Sequence, residues 1–244
     1  MSPLLAVIGD VHAHHPRLER VLERIAAEKV DGILMVGDLA CAGKGARTAQ
    51  SIRRYRRQAR EVLEAVARLG LPICYVPGNH DLQGLRFPGN VDGRIETIAG
   101  LKITGLGGTN PPERGFPYEW TDDELRARPR LEQEADILIS HCPPSETPLD
   151  FARGAQRHVG SVAVRERALA MDGALVCGHI HESAGLVQLG ECLCMNPGGL
   201  GEPFGGARVG FLRGTQSAWI EDLDDGMTTS LARGESPAAE NGSG

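Results

Sequence analysis

The stretch that decides the fold is the amino-terminal run Leu4-Leu5-Ala6-Val7-Ile8, which ends at Gly9-Asp10-Val11-His12. A continuous apolar run of this length indicates a strand that is covered on both faces, as in a parallel sheet. Pro16 then opens a segment in which apolar residues recur at the spacing of one helical face. The pattern therefore predicts a strand, a turn that carries polar residues, and a helix.

The same unit recurs downstream. Apolar runs at 33–36 and 73–76 end at Gly37-Asp38 and at Gly78-Asn79-His80-Asp81, and a long amphipathic segment lies between them. The second half predicts further strands at 101–106, 136–140 and 174–177, helices near 121 and 162–170, and four short glycine-linked strands after His181. Strands that alternate with helices predict an α/β domain whose first sheet is largely parallel.

Composition and charge exclude several classes of protein. The chain has 244 residues, 41% hydrophobic and 24% charged, which is ordinary for a globular domain and unlike disordered or fibrous chains. A net charge of -6 disfavours a nucleic-acid partner, and no apolar run is long enough to span a membrane. Six cysteines without a C-x-x-C pair, and no secretory signal, predict free thiols and a cytoplasmic location. Residues 1–223 are predicted as one domain, and 224–244 as a disordered tail.

Five of the eight histidines follow predicted strands and lie beside Asp, Asn or Gly. Because ligands bind at the carboxyl ends of the strands in an open α/β sheet, these residues are expected to converge in one crevice. The candidate metal ligands are Asp10, His12, Asp38, Asn79, His141, His179 and His181. This set of nitrogen and oxygen donors suits Mn, Fe, Zn, Ni or Co. Since it exceeds the three or four ligands that one catalytic ion takes from a protein, it predicts two divalent ions.

In this order the motifs resemble the signature of calcineurin-like metallophosphoesterases. The matching blocks are Asp10-Val11-His12, Gly37-Asp38, Gly78-Asn79-His80-Asp81, His141 and Gly178-His179-Ile180-His181. The resemblance implies a four-layer α/β/β/α sandwich of two mixed β-sheets flanked by helices. It also implies hydrolysis of a small phosphodiester, with a cyclic nucleotide as one option, by attack of a metal-activated hydroxide.

The resemblance further implies a role for each residue. One metal would be held by Asp10, His12 and His181, and the other by Asn79, His141 and His179. Asp38 would bridge both ions, and His80 would act on the transition state and protonate the leaving oxygen without binding metal.

One position departs from the protein phosphatases of this superfamily. Their second block has a later Asp that orients the catalytic histidine, and Cys41 occupies that position here. The chain therefore resembles the small prokaryotic phosphoesterases, including the branch similar to cyclic-nucleotide phosphodiesterases. The motifs around His141 and His158 also resemble that branch.

Other interpretations stay open at this point. A phosphomonoesterase or phosphoprotein phosphatase could use the same core. An amidohydrolase would start from His12-Ala13-His14 but would leave the later blocks unexplained, and a non-catalytic interaction module would not need the complete ligand set. Lys44, Arg47 and His158 are candidate substrate contacts, whereas the arginines of 47–60 favour a solvated helix face. The pattern specifies no oligomeric state.

Overall fold

The computed structural model describes residues 2–41, 48–84, 87–110 and 115–235. Within them, the strands and helices follow in the order β1 (Leu4–Ile8), α1 (His15–Ala26), β2 (Gly32–Met35), α2 (Ala49–Ala67), β3 (Ile73–Tyr75), β4 (Ile95–Ile98), β5 (Leu101–Leu106), α3 (Asp122–Arg126), β6 (Ile137–Ser140), β7 (Phe151–Ala152), β8 (Arg157–His158), α4 (Val162–Leu169), β9 (Ala174–Cys177), β10 (Gly185–Leu189), β11 (Cys192–Asn196), β12 (Arg208–Arg213), β13 (Ser217–Asp222) and β14 (Thr228–Ala232). Short 3-10 turns lie at Leu131–Glu134 and Pro148–Asp150.

The strands form two six-stranded sheets and one short hairpin. The first sheet has the order β14-β13-β12-β1-β2-β3, in which β1, β2 and β3 run parallel and the other strands pair antiparallel. The second has the order β10-β11-β9-β6-β5-β4, with an antiparallel strand at each edge. The strands β7 and β8 pair only with each other.

Alternate side chains of β1 show how the layers stack. Leu4, Ala6 and Ile8 pack into one buried cluster with the apolar faces of α1 and α2. Leu5 and Val7 point to the other face and pack against residues of the second sheet, among them Ile137 and Ile139. A third cluster joins the outer face of the second sheet to α3 and α4. The predicted four-layer α/β/β/α sandwich is confirmed, and the burial of β1 on both faces explains its uninterrupted apolar run.

Capping residues set the beginnings of the helices. The Thr121 hydroxyl accepts a hydrogen bond from the Glu124 amide, and the Glu124 carboxylate accepts one from the Thr121 amide, which is the predicted capping box of α3. Thr48 caps α2 through the Ser51 amide. The α2 arginines at 53, 54, 56, 57 and 60 are exposed, and Arg57 lies 3.7 Å from Glu61, as expected for a solvated face.

The prediction of disorder from Asp224 onward is wrong for residues 228–232, which form β14 at the edge of the first sheet. Backbone hydrogen bonds to β13 order this strand, and Leu231 is its one fully buried side chain. A strand that buries so few side chains has a weak hydrophobic signature, and the sequence analysis therefore missed it. Residues 236–244 lie outside the described ranges. None of the helices described is both long and apolar enough to span a bilayer.

Candidate metal centre

The two sheets present the carboxyl ends of their parallel strands at one edge of the molecule. Asp10 and His12 follow β1, Asp38 follows β2, and Asn79 and His80 follow β3. From the second sheet, His141 follows β6, and His179 and His181 follow β9. The structure therefore brings together all seven predicted ligands and His80, because the carboxyl ends of the parallel strands of both sheets meet at this edge.

The turns that hold these residues are strained and tightly packed. His12, Asp38 and His179 have φ angles of 47°, 47° and 70°, a left-handed conformation that residues with a side chain seldom adopt. A Cβ atom at Gly78 would lie 2.1 Å from Asp38 Oδ1, so only glycine permits the carboxylate to lie there. Strain of this kind persists where the surrounding fold fixes the backbone, and it is common at functional sites.

A first group of donor atoms surrounds His12. Its Nε2 lies 3.1 Å from His181 Nε2 and 3.4 Å from Asp38 Oδ2. His181 Nε2 lies 3.7 Å from Asp10 Oδ2. Donor atoms that share one ion at about 2.1 Å are separated from each other by roughly 3.0–3.5 Å, so this spacing suits a metal ion.

A second group surrounds Asn79. Its Oδ1 lies 2.8 Å from His141 Nε2 and 3.0 Å from His179 Nδ1. His141 Nε2 is also 3.6 Å from Asp38 Oδ2. Asp38 Oδ2 thus lies between the two groups, within 3.6 Å of a histidine nitrogen of each.

The hydrogen bonds of His141 indicate that the second group of donor atoms suits a cation. Its Nδ1 donates to the Val36 carbonyl oxygen at 2.9 Å, and burial lowers its pKa well below the ordinary range, so the ring is neutral. Its Nε2 then carries a lone pair that faces the Asn79 and Asp38 oxygens. These lone pairs converge with no proton between them, and a cation would relieve their repulsion.

The buried carboxylates point to the same requirement. Burial raises the pKa of Asp10 to about 6 and that of Asp38 well above its ordinary value. Among the described residues, Asp10 Oδ1 is a buried oxygen that receives no hydrogen bond. Burial also lowers the pKa of His12 to about 2, which keeps its ring neutral. The residues therefore fit divalent ions, whose charge would favour ionised carboxylates and neutral imidazoles.

His80 lies at the mouth of the centre. Its backbone N–H donates to Asp38 Oδ1 at 2.8 Å, and its ring packs against Phe116 with 4.3 Å between centroids. Cys41 Sγ lies 3.1 Å from His80 Nδ1. Cys41 stands where the protein phosphatases of the superfamily that the motifs resemble have Asp, and it thus contacts His80 through a thiol in place of a carboxylate.

Asp81 is a supporting residue to which the sequence analysis gave no role. Its buried carboxylate accepts hydrogen bonds from the Gly78 and Leu39 amides and from the Tyr55 hydroxyl. These bonds tie the turn after β3 to the turn after β2 and to α2. Asp81 therefore fixes the positions of Asp38 and Asn79 relative to each other. Its position directly after His80 in the motif is the sequence feature that could have indicated this supporting role.

The segment from Asn196 to Gly201 was also missed as part of the site. The Leu200 amide donates to the Asp10 carbonyl oxygen at 2.7 Å, so this segment packs over the turn after β1. A Cβ atom at Gly201 would lie 2.6 Å from His12 Cβ, and one at Gly199 would lie 2.5 Å from His181 Cγ. The glycines leave room for the two imidazole rings.

This packing predicts that Gly201→Ala weakens metal binding. The added methyl group must displace His12, and disturbing the support of a ligand typically costs about 10–100-fold in metal affinity. Calorimetric titration of the metal-free protein with Mn²⁺ measures the effect. Gly154→Ala is the control, because no atom lies within 4 Å of a Cβ built there. Equal affinities for the two variants would contradict the supporting role of Gly201.

The predicted substrate contacts differ in position. Lys44 and Arg47 lie outside the described residues. His158 is described, at the end of β8, and lines a cavity that also contacts Asn79 and His179. Its role in substrate binding stays a prediction.

Comparison with known proteins decides the family. The profile of the calcineurin-like phosphoesterases matches residues 3–183. The chain belongs to that family. As a calcineurin-like phosphoesterase it is a metal-dependent hydrolase of phosphoric esters, and its Asp and His clusters are able to hold metal.

Individual proteins resemble this calcineurin-like phosphoesterase over different lengths. An uncharacterized protein of Methanocaldococcus jannaschii is 28% identical over 213 residues, which cover 81% of this chain and 89% of that protein. The symmetrical bis(5'-nucleosyl)-tetraphosphatase of Baumannia cicadellinicola is 28% identical over 138 residues, 55% of this chain and 40% of that protein. A dimetal phosphatase from Danio rerio has a similar fold, with a TM-score of 0.63 at 12% identity over 95% of this chain and 99% of that one.

Proposed function

We propose that this phosphoesterase hydrolyses a small phosphodiester, with a cyclic nucleotide as one option, and uses two divalent ions drawn from Mn, Fe, Zn, Ni and Co. The observation that carries the proposal is the position of Asp38 Oδ2 between the two donor groups, 3.4 Å from His12 Nε2 and 3.6 Å from His141 Nε2. A single carboxylate oxygen placed in this way can serve both ions. The first group would be Asp10, His12 and His181, and the second Asn79, His141 and His179.

Two such ions would supply positive charge to the phosphoryl group and would lower the pKa of a water molecule. The residues of the chain supply the rest. Neutral imidazoles hold the ions without adding negative charge beside an anionic phosphate. His80, at the mouth of the centre and in contact with Cys41, would stabilise charge on the phosphoryl group and protonate the leaving oxygen.

Two observations favour a small substrate over a phosphoprotein. The cavity beside Asn79 and His179 measures about 240 Å³, which suits a small molecule better than a protein segment. In addition, Cys41 replaces the Asp of the protein phosphatases. The relative from Baumannia is named for a small dinucleoside substrate, which supports a small phosphorylated molecule here as well.

We place the protein in the cytoplasm. All six cysteines are free thiols, and five of them are buried. Burial raises the pKa of Cys74 and of Cys142 to about 12, which keeps these thiols unreactive. Free thiols in this number fit a reducing compartment.

The substrate class predicts an order of turnover. The Mn²⁺-loaded enzyme is expected to have a higher kcat/KM for bis(4-nitrophenyl) phosphate than for 4-nitrophenyl phosphate, because a singly charged diester brings less negative charge to a centre that contains Asp10 and Asp38. Colorimetric assays with Mn²⁺, Zn²⁺ and Ni²⁺, extended to 2',3'- and 3',5'-cyclic nucleotides, measure this order. Metal-free enzyme is the control.

The phosphomonoesterase alternative predicts the opposite order. If kcat/KM for the monoester exceeds that for the diester by about tenfold or more with all three metals, the phosphodiesterase proposal is wrong and the phosphomonoesterase replaces it.

A further inference from the structure

A cavity of about 240 Å³ leads from the metal centre to the hairpin formed by β7 and β8. Asn79 and His179 of the metal centre line it together with Arg157, His158 and Gly160. A substrate whose phosphorus lies at the donor groups therefore meets the hairpin with its remaining part.

A buried carboxylate holds the hairpin in place. Asp150 is fully buried and accepts hydrogen bonds from the Thr147 amide at 2.8 Å and the Gly160 amide at 2.9 Å. His158 Nδ1 donates to the same carboxylate at 2.7 Å. The imidazole of His158 is thus fixed from one side, as in a preorganised binding site.

The hairpin presents hydrogen-bond donors to the cavity, namely the guanidinium of Arg157 and the ring of His158, whose charge the Asp150 carboxylate offsets. The hydrogen bond to Asp150 raises the pKa of His158, which favours the protonated ring. Arg157 is exposed and forms no ion pair with any residue in the described part of the chain. The aromatic ring at this cavity, Phe116, already packs against His80. At the hairpin, the groups that face a substrate are therefore hydrogen-bond donors, and Arg157 supplies the net positive charge.

We propose that Arg157 and His158 form a subsite for a phosphate group carried by the leaving part of the substrate. This inference rests on the proposed phosphoesterase function and narrows its substrate class to diesters of pyrophosphate, in which a second phosphate lies beside the one attacked. A guanidinium group can donate two parallel hydrogen bonds to phosphate oxygens, and a protonated imidazole can add a third donor.

The weak demand of such a substrate for a proton donor agrees with the contact between His80 and the Cys41 thiol. In a P–O–P substrate, water adds to one phosphorus, the bond from that phosphorus to the bridging oxygen breaks, and its electron pair stays on the bridging oxygen. The leaving group is then a phosphate, and the proton of the water passes to solvent. A phosphate departs with less help from a proton donor than an alkoxide needs. A histidine in contact with the Cys41 thiol in place of a carboxylate is sufficient for this reaction.

The test compares two substrates in three variants of the metal-loaded protein. In diadenosine diphosphate the leaving group contains a phosphate. In bis(4-nitrophenyl) phosphate the leaving group is an aryl alcohol without a phosphate. Arg157→Gln and His158→Gln are expected to lower the ratio of kcat/KM for the first substrate to that for the second by about tenfold or more, mainly through KM. Arg153→Gln is the matched control, because Arg153 lies in the same hairpin but lines a different cavity. Its ratio should stay within about twofold of wild type.

A binding measurement gives a second readout. Calorimetric titration with ADP is expected to show a Kd about tenfold higher for Arg157→Gln than for Arg153→Gln. Equal ratios and equal Kd values for these two variants would overturn the subsite. If the wild-type protein hydrolyses neither substrate with any metal, the proposed function fails. Hydrolysis of the aryl diester with no response to Arg157→Gln overturns the subsite alone.

Discussion

Replacing His80 by alanine is expected to lower kcat by about 10²–10⁴ while both metal ions stay bound. The ring lies at the mouth of the centre, packed against Phe116 and in contact with Cys41 through its Nδ1. In the proposed mechanism it acts on the reacting phosphate and not on the metal. Steady-state kinetics together with elemental analysis of the same preparation measures both quantities.

Cys41→Ala is the comparison for His80→Ala, because it removes a contact of the histidine without removing the histidine. Its effect on kcat should be smaller, about tenfold or less, since a thiol is a weak hydrogen-bonding partner. Loss of metal in His80→Ala would show that His80 is a ligand. An equal loss of activity in both variants would contradict the direct role of His80.

Asp38→Asn is expected to lower activity by about 10³ or more, because metal ions supply several kcal/mol of transition-state stabilisation and this substitution weakens both sites together. The amide keeps the size of the side chain but removes the negative charge that lies between His12 and His141. His12→Ala should mainly empty the first site. Activity as a function of Mn²⁺ concentration separates the two cases. Asp172→Asn, at an exposed position, is the control for the charge change.

Full activity of Asp38→Asn at ordinary Mn²⁺ concentrations would contradict the bridging role. If saturating Mn²⁺ restores the full activity of Asp38→Asn, Asp38 contributes only to metal affinity. Circular dichroism of the purified variants checks that the comparison is made between folded proteins.

The parts of the fold that could be predicted from sequence are those with a local signature. The apolar runs that end at Asp10, Asp38 and Asn79 mark strands buried on both faces, and such strands need no partner sequence to be recognised. The candidate ligands follow from their position at strand ends. The edge strand β14 could not be predicted, since backbone pairing to β13 stabilises it and few of its side chains are buried.

The supporting contacts of the site could not be predicted for a different reason. Gly201 contacts His12, and Cys41 contacts His80, although each pair is far apart in the chain. Such contacts arise only when turns that follow different strands come together in the folded chain. The absence of Asp at position 41 was visible in the sequence, but the thiol contact that replaces its carboxylate was not.

The central claim is that Asp38 joins two metal sites in one chain, and the metal content of the protein tests it most directly. Elemental analysis after loading with Mn²⁺ and removal of excess metal should give close to two ions per wild-type chain. The metal content of Asp38→Asn is expected to fall toward zero under the same conditions, whereas His12→Ala should retain close to one ion. A wild-type protein that plateaus at one ion with full activity would contradict the account.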